Sequence, residues 1–168
     1  MKTVMTMIKP INLLFAWHGL LAGSYFVAYA TAEMSLRMHE AAGWFVIGLI
    51  GLRLLAALFA GQSSPWSLPW PNSALVKAFF NNLAKLDPMA FRGRNPLLIL
   101  SGLAMLTLAL LAALSGLLPW EDPHEGLAEF SLFFLAVHGG LVLIAQGLKA
   151  LAAISPIKPL RQPAAPPS

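Results

Sequence analysis

The chain has 168 residues, no cysteine and few charges. Without thiols it can form no disulfide, thiolate metal centre or iron-sulfur ligation, and it cannot attach haem covalently through a C-x-x-C-H motif. Any metal must therefore sit on nitrogen or oxygen. Charged residues make up only 11% of the chain against 58% hydrophobic ones, with a mean hydropathy of +0.71. A soluble domain of this length needs a far more charged surface, so a cytosolic globular enzyme is excluded, and so is a disordered chain. The main solvent is the lipid bilayer. A formal net charge of +4 and a pI near 9.8 do not point to nucleic acid, because the basic residues fall in three separate tracts rather than one stripe.

What the chain does have is long apolar runs. Residues 11–32, 41–60, 96–118 and 127–154 each reach or exceed the roughly 20 residues a helix needs to cross about 30 Å of hydrocarbon. Barrel strands would be about half as long and would alternate apolar with polar residues. The expected fold is therefore all-α: an integral membrane four-helix bundle over residues 1–155, followed by a Pro-rich disordered tail at 156–168. Lys2 and Lys9, then Lys77, Lys85, Arg92 and Arg94, then Lys149, Lys158 and Arg161 mark one side as cytoplasmic, with both termini on it. The other side carries Glu33, Glu40, Glu121, Asp122, Glu125 and Glu129, with Arg37 as its only base. Between the second and third spans, residues 62–71 are rich in Trp and Pro. Residues 72–86 then set Leu75, Phe79, Leu83 and Leu86 at helical spacing, which predicts a short amphipathic helix on the inner surface, with a plain connector whose lysines set topology as the alternative. The first apolar run exceeds the 7–15 residues usual in a cleaved signal peptide, so it is expected to be retained. No internal repeat of the inverted-repeat transporter kind is present.

Ionisable groups inside spans are functional suspects, and the chain has four histidines: His18, His39, His124 and His138. His124 and His138 are fourteen residues apart, about 21 Å of rise and within about 40° of one helix face. His18 lies about 10 Å into the first span and His138 about 17 Å from the outer start of the fourth, so these two share the inner half of the bilayer. His39 opens the second span and His124 just precedes the fourth, so both sit at the outer edge. The depth-matched pairs are His18 with His138 and His39 with His124. Facing imidazoles in an apolar site are what a bis-histidine b-type haem requires, whereas zinc would want four ligands at one point. Gly19, Gly23, Gly43, Gly139 and Gly140 lie close to the histidines and offer room for a porphyrin, or plain helix packing. Arg53 and Arg37 are candidate partners for propionates, and Arg53 has the alternative of snorkelling to the inner surface. Trp17, Trp44 and Trp120 are read as packing or interfacial anchors, and Glu125 as a solvated acid or an orienting group for His124.

These motifs resemble the bacterial cytochrome b561 and nickel-hydrogenase b-type cytochrome family, over about residues 11–149. His39 with Gly43 four residues on and Arg53 fourteen on is similar to that family's second span. His124-Glu125, then Leu127-Ala128, and His138 resemble its last ligand-bearing helix. Arg94-Asn95-Pro96-Leu97, leading to Ser115-Gly116-Leu117, resembles its ligand-free third helix. Trp17 before His18 and Gly19 after it differ from the family's usual His-Trp order. The resemblance implies two haem b groups and an electron-transfer role between a quinone or quinol pool and a carrier on the outer face, such as a periplasmic c-type cytochrome, in a bacterial inner membrane. An electron carrier and a quinone-linked oxidoreductase both fit. Within the family the alternative is a superoxide oxidase. The six acids around Arg37 repel an anion and suit a basic protein, which favours the cytochrome. A cofactor-free transporter or proton relay is a further alternative, although it would want buried carboxylates; a purely structural anchor is another. The sequence leaves open whether the chain pairs as a homodimer.

Overall fold

The computed structural model describes residues 9–85, 95–118 and 121–154. They form five helices: α1 (Pro10–Thr31), α2 (Leu36–Phe59), α3 (Ser73–Ala84), α4 (Pro96–Ser115) and α5 (Glu121–Ile154). There is no strand among the described residues. All but α3 are long and apolar enough to cross a membrane, with mean hydropathies from 1.4 for α1 to 2.5 for α4. The 156–168 tail, Lys2, Leu86, Arg92, Arg94, Trp120, Lys158 and Arg161 lie outside the described residues.

Local chemistry explains where the helices start. Pro10 and Pro96 occupy first-turn positions, where a missing N–H removes no helical bond. The Asn95 side chain accepts from Leu97 N at 2.8 Å, and Asn72 does the same for Leu75 N at 2.7 Å to open α3. Two starts lie earlier than hydropathy alone suggests. α2 begins at Leu36 and α5 at Glu121, so His39 and His124 sit inside first turns rather than at or ahead of helix starts. Hydropathy marks the hydrocarbon slab, and backbone hydrogen bonding continues past it into polar sequence.

α1 packs along α2 and α4 along α5, and the two hairpins meet where α2 lies against α4. Bonds from Trp17 to Leu49 and from His39 to Ala28 fix α1 and α2 as antiparallel. The buried cluster of Trp17, Leu21, Val46, Ile50 and Ala109 draws on α1, α2 and α4 and contains no residue of α5. α5 is held instead by a seven-residue pattern. His124, Ser131, His138 and Ala145 recur on one face, with Ser131 and Ala145 buried and with His124 and His138 opposite Gly116 and Gly102 on α4. Seven residues turn the helix through about 700°, so each recurrence drifts only about 20°. Small residues on α4 let the imidazole-bearing face approach closely. The outward faces are apolar and open, Phe59 at 87%, Leu58 at 78% and Leu143 at 74%, which is stable against hydrocarbon and costly against water.

α3 is amphipathic as its spacing predicts. Phe79 is buried and Leu75 partly buried, while Leu83 of the predicted apolar set is exposed, like Lys77 and Phe80. α3 rests against α4. Lys9, Lys77, Lys85 and Lys149 gather at one end of the long helices, and Glu33, Arg37, Glu40, Glu125 and Glu129 at the other.

Candidate functional site

The four histidines meet in two pairs across the seam between the hairpins, where the α1 and α5 backbones stand apart and side chains bridge them. The His18 and His138 ring centres stand 6.5 Å apart with planes at 28°. His39 and His124 stand 5.8 Å apart with planes at 82°. Each pair takes one ring from each hairpin, and fourteen residues of α5 separate the levels by about 21 Å.

At the His39–His124 level, main-chain oxygens orient both rings. His39 Nδ1 lies 2.8 Å from the carbonyl of Ala28, and His124 Nδ1 lies 2.9 Å from that of Ala112. A carbonyl only accepts, so Nδ1 carries the proton in each ring and the Nε2 lone pair is left for a ligand. The Ser115 hydroxyl donates to Ala112 O at 2.8 Å and accepts a second contact from His124 Nδ1 at 3.3 Å. A Cβ built on Gly116 would sit 3.0 Å from His124 Cε1 and 3.2 Å from Nδ1, so glycine is what admits the ring against α4.

At the His18–His138 level the supports are side chains. Ser101 Oγ donates to Leu98 O at 3.2 Å and so accepts from His138 Nδ1 at 3.1 Å, which again frees Nε2. A Cβ on Gly102 would approach His138 Cε1 to 3.4 Å. Among the described residues, none hydrogen-bonds the His18 ring. It is exposed and meets Trp17 edge-on at 6.3 Å. Trp17 is itself fixed by a 2.8 Å bond from Nε1 to Leu49 O.

Arg53 is 5% exposed and lies between the Trp17 and Trp66 rings, 5.8 Å and 5.6 Å from their centres. Its terminal nitrogens donate to the carbonyls of Trp66 and of Ser67, the latter at 3.1 Å. The Arg53 side chain thus staples the Trp and Pro connector onto α1 and α2, and cation–π contact satisfies the charge from both sides. Arg37 is exposed and stands two residues, about 200° of turn, from His39. The structure brings neither arginine into hydrogen-bonding contact with the histidines. Gly19 and Gly23 line a groove of about 470 Å³ between α1 and α2, together with Leu20 and Val27. Leu20 and Val27 lie about 200° round the helix from His18 and Tyr25, so that groove is away from the histidine seam. Gly43, Gly139 and Gly140 face open space.

The donor set can be tested against the cofactor it suggests. Two metal–imidazole bonds of about 2 Å in line, with the ring radii added, put ring centres about 6 Å apart. Both pairs are at that spacing, and no group of three or more His, Cys, Asp or Glu side chains that could hold a metal occurs among the described residues. Each level thus offers two imidazoles, which suits a bis-imidazole group and not a four-ligand zinc site. Sequence reasoning did not single out Ser101, Gly102 or Trp66, and it read Ser115 and Gly116 only as the end of a ligand-free helix. The signal on α4 is the fourteen-residue recurrence of the Ser-Gly pair, 101–102 and 115–116, which becomes readable once its partner helix is known; Trp66 carries none.

Comparison with family models, with curated proteins and with solved structures returned no match.

Proposed function

We propose that this chain is a di-haem b electron-transfer protein of a bacterial inner membrane, passing electrons between the quinone pool and a periplasmic partner such as a c-type cytochrome. The observation that carries the reading is the double pairing of imidazoles at ring spacings of 6.5 Å and 5.8 Å on two levels of one apolar seam. His18 and His138 hold one haem and His39 and His124 the other. Bound haem supplies one-electron transfer at each level. The chain supplies the rest: Nδ1 bonds that orient three of the four rings, glycines that seat two of them, and apolar walls that exclude water.

Charge at the helix ends gives the orientation. The lysine-bearing end is cytoplasmic, with both termini, and the glutamate-bearing end faces the periplasm. Exposed Glu33, Glu40, Glu125 and Glu129 beside the His39–His124 level suit docking of a basic protein and repel an anion, which favours a cytochrome partner over superoxide.

Purification from membranes followed by pyridine haemochrome analysis tests the reading. Two haem b per chain, with low-spin bis-histidine spectra, are the expected result. A colourless protein overturns it in favour of a relay or a structural anchor. With the haems present, rapid quinone reduction by superoxide and inertness to basic c-type cytochromes would replace the cytochrome partner by superoxide.

A further inference from the structure

Tyr25 is seven residues beyond His18 on α1, and Ser131 is seven residues from both His124 and His138 on α5. Seven residues return a helix to within about 20° of the same face, so both hydroxyls belong to the histidine faces, midway between the levels. Tyr25 Oη and Ser131 Oγ are 2.5 Å apart, and Ser131 Oγ donates its only proton to Ala128 O at 2.8 Å. Tyr25 therefore donates to Ser131, with a longer 3.4 Å contact to Ala128 O. Ser131 is fully buried. Among the described residues this is the only hydrogen-bonded link between the α1–α2 hairpin and the α4–α5 hairpin. The other long-range side-chain bonds, from Trp17, His39, His124 and His138, stay within one hairpin, and those of Arg53 go to the connector after α2.

Resting on the two-haem reading above, we infer that the Tyr25–Ser131 hydroxyl pair is a positioning latch. It holds the seam between the hairpins at the one width at which both histidine pairs can grip their haems. Packing of α2 on α4 joins the hairpins on their other side, but α5 contributes nothing to the buried core cluster, so the α1–α5 side of the seam is left to this bond. In an apolar surround water does not compete for the bond, so its loss is not compensated from solvent. Equal spacing from the two levels gives the latch a signature that no ligand substitution has: it acts on both levels together.

The test uses the full chain with Tyr25→Phe, Ser131→Ala and the double substitution. The chain is free of cysteine, so Phe26→Cys and Phe133→Cys at exposed positions accept spin labels without background. Each single variant is expected to broaden and lengthen the α1–α5 label distance in the haem-free protein. Each is also expected to shift the reduction potentials of both haems in the loaded protein. The double variant should be no worse than either single one, as for two partners of one bond. Unchanged distance and potentials, a shift confined to one level, or additive effects would each overturn the latch. Ser131→Ala is the smaller change and decides the matter if Tyr25→Phe does not assemble. The distance measurement needs no haem, so it judges the latch even if a colourless wild type has already overturned the electron-transfer reading.

Discussion

The two histidine levels differ in what holds them. At His39–His124 both imidazoles lean on main-chain carbonyls, Ala28 O and Ala112 O, which no side-chain substitution removes. At His18–His138 one ring leans on the Ser101 hydroxyl, and the other stands against Trp17, behind which Arg53 and Trp66 are stacked. The first level is built into the backbone register of its hairpins. The second is built from replaceable side chains, so its orientation and its electronic surroundings are open to tuning by mutation. On the proposed reading, the two levels would hold chemically similar groups in unlike environments.

The largest effect that tests this contrast is loss of a ligand. His124→Ala should remove the haem of the His39–His124 level and leave the other in place, and His138→Ala should do the reverse, as read by haemochrome stoichiometry. Loss of both haems from either substitution would break the separation into levels. A smaller and graded effect is expected at the glycines that seat the rings. Gly116→Ala puts a methyl group 3.0 Å from His124 Cε1, so the ring must move. Gly102→Ala leaves an ordinary 3.4 Å contact with His138. Haem retention at the His39–His124 level should fall clearly in Gly116→Ala, while Gly102→Ala stays near wild type; the opposite order would show that the two seats are not as drawn. The smallest effects belong to the hydroxyls. Ser101→Ala removes the one oxygen among the described residues bonded to His138 Nδ1 and, on the proposed reading, should weaken haem binding at its own level by about 10–100-fold, the usual range for loss of an outer-shell partner. Ser115→Ala leaves Ala112 O in place and should change little in a haem titration.

Much of the candidate site was legible along the chain because it depends on local geometry. The fourteen-residue interval between His124 and His138, and the depths of His18 and His39 from their helix starts, follow from rise and turn per residue, and the structure joins the same two pairs. The arginines were less legible. Arg53 was open to two uses, a propionate or the membrane surface, and its side chain is committed to Trp66 and Ser67, thirteen and fourteen residues away in a connector without periodic pattern. Gly19 and Gly23 lie next to His18 in sequence, yet a step of one or a few residues on a helix also changes face, and they line the groove on the other side of α1.

Sequence alone determined the solvent of this protein and its elements. Apolar runs of twenty residues and more, a charge bias between their ends and imidazoles at fixed helical intervals are properties of contiguous chain, where helix geometry is set residue by residue. Only the tertiary structure decided which oxygen meets each Nδ1, which glycines of α4 make room for rings of α5, and that Tyr25 reaches Ser131, 106 positions away in the chain. Those contacts depend on the antiparallel register of two hairpins, and a slide by a single residue would turn each face by about 100° without altering any composition, run or spacing that the sequence displays.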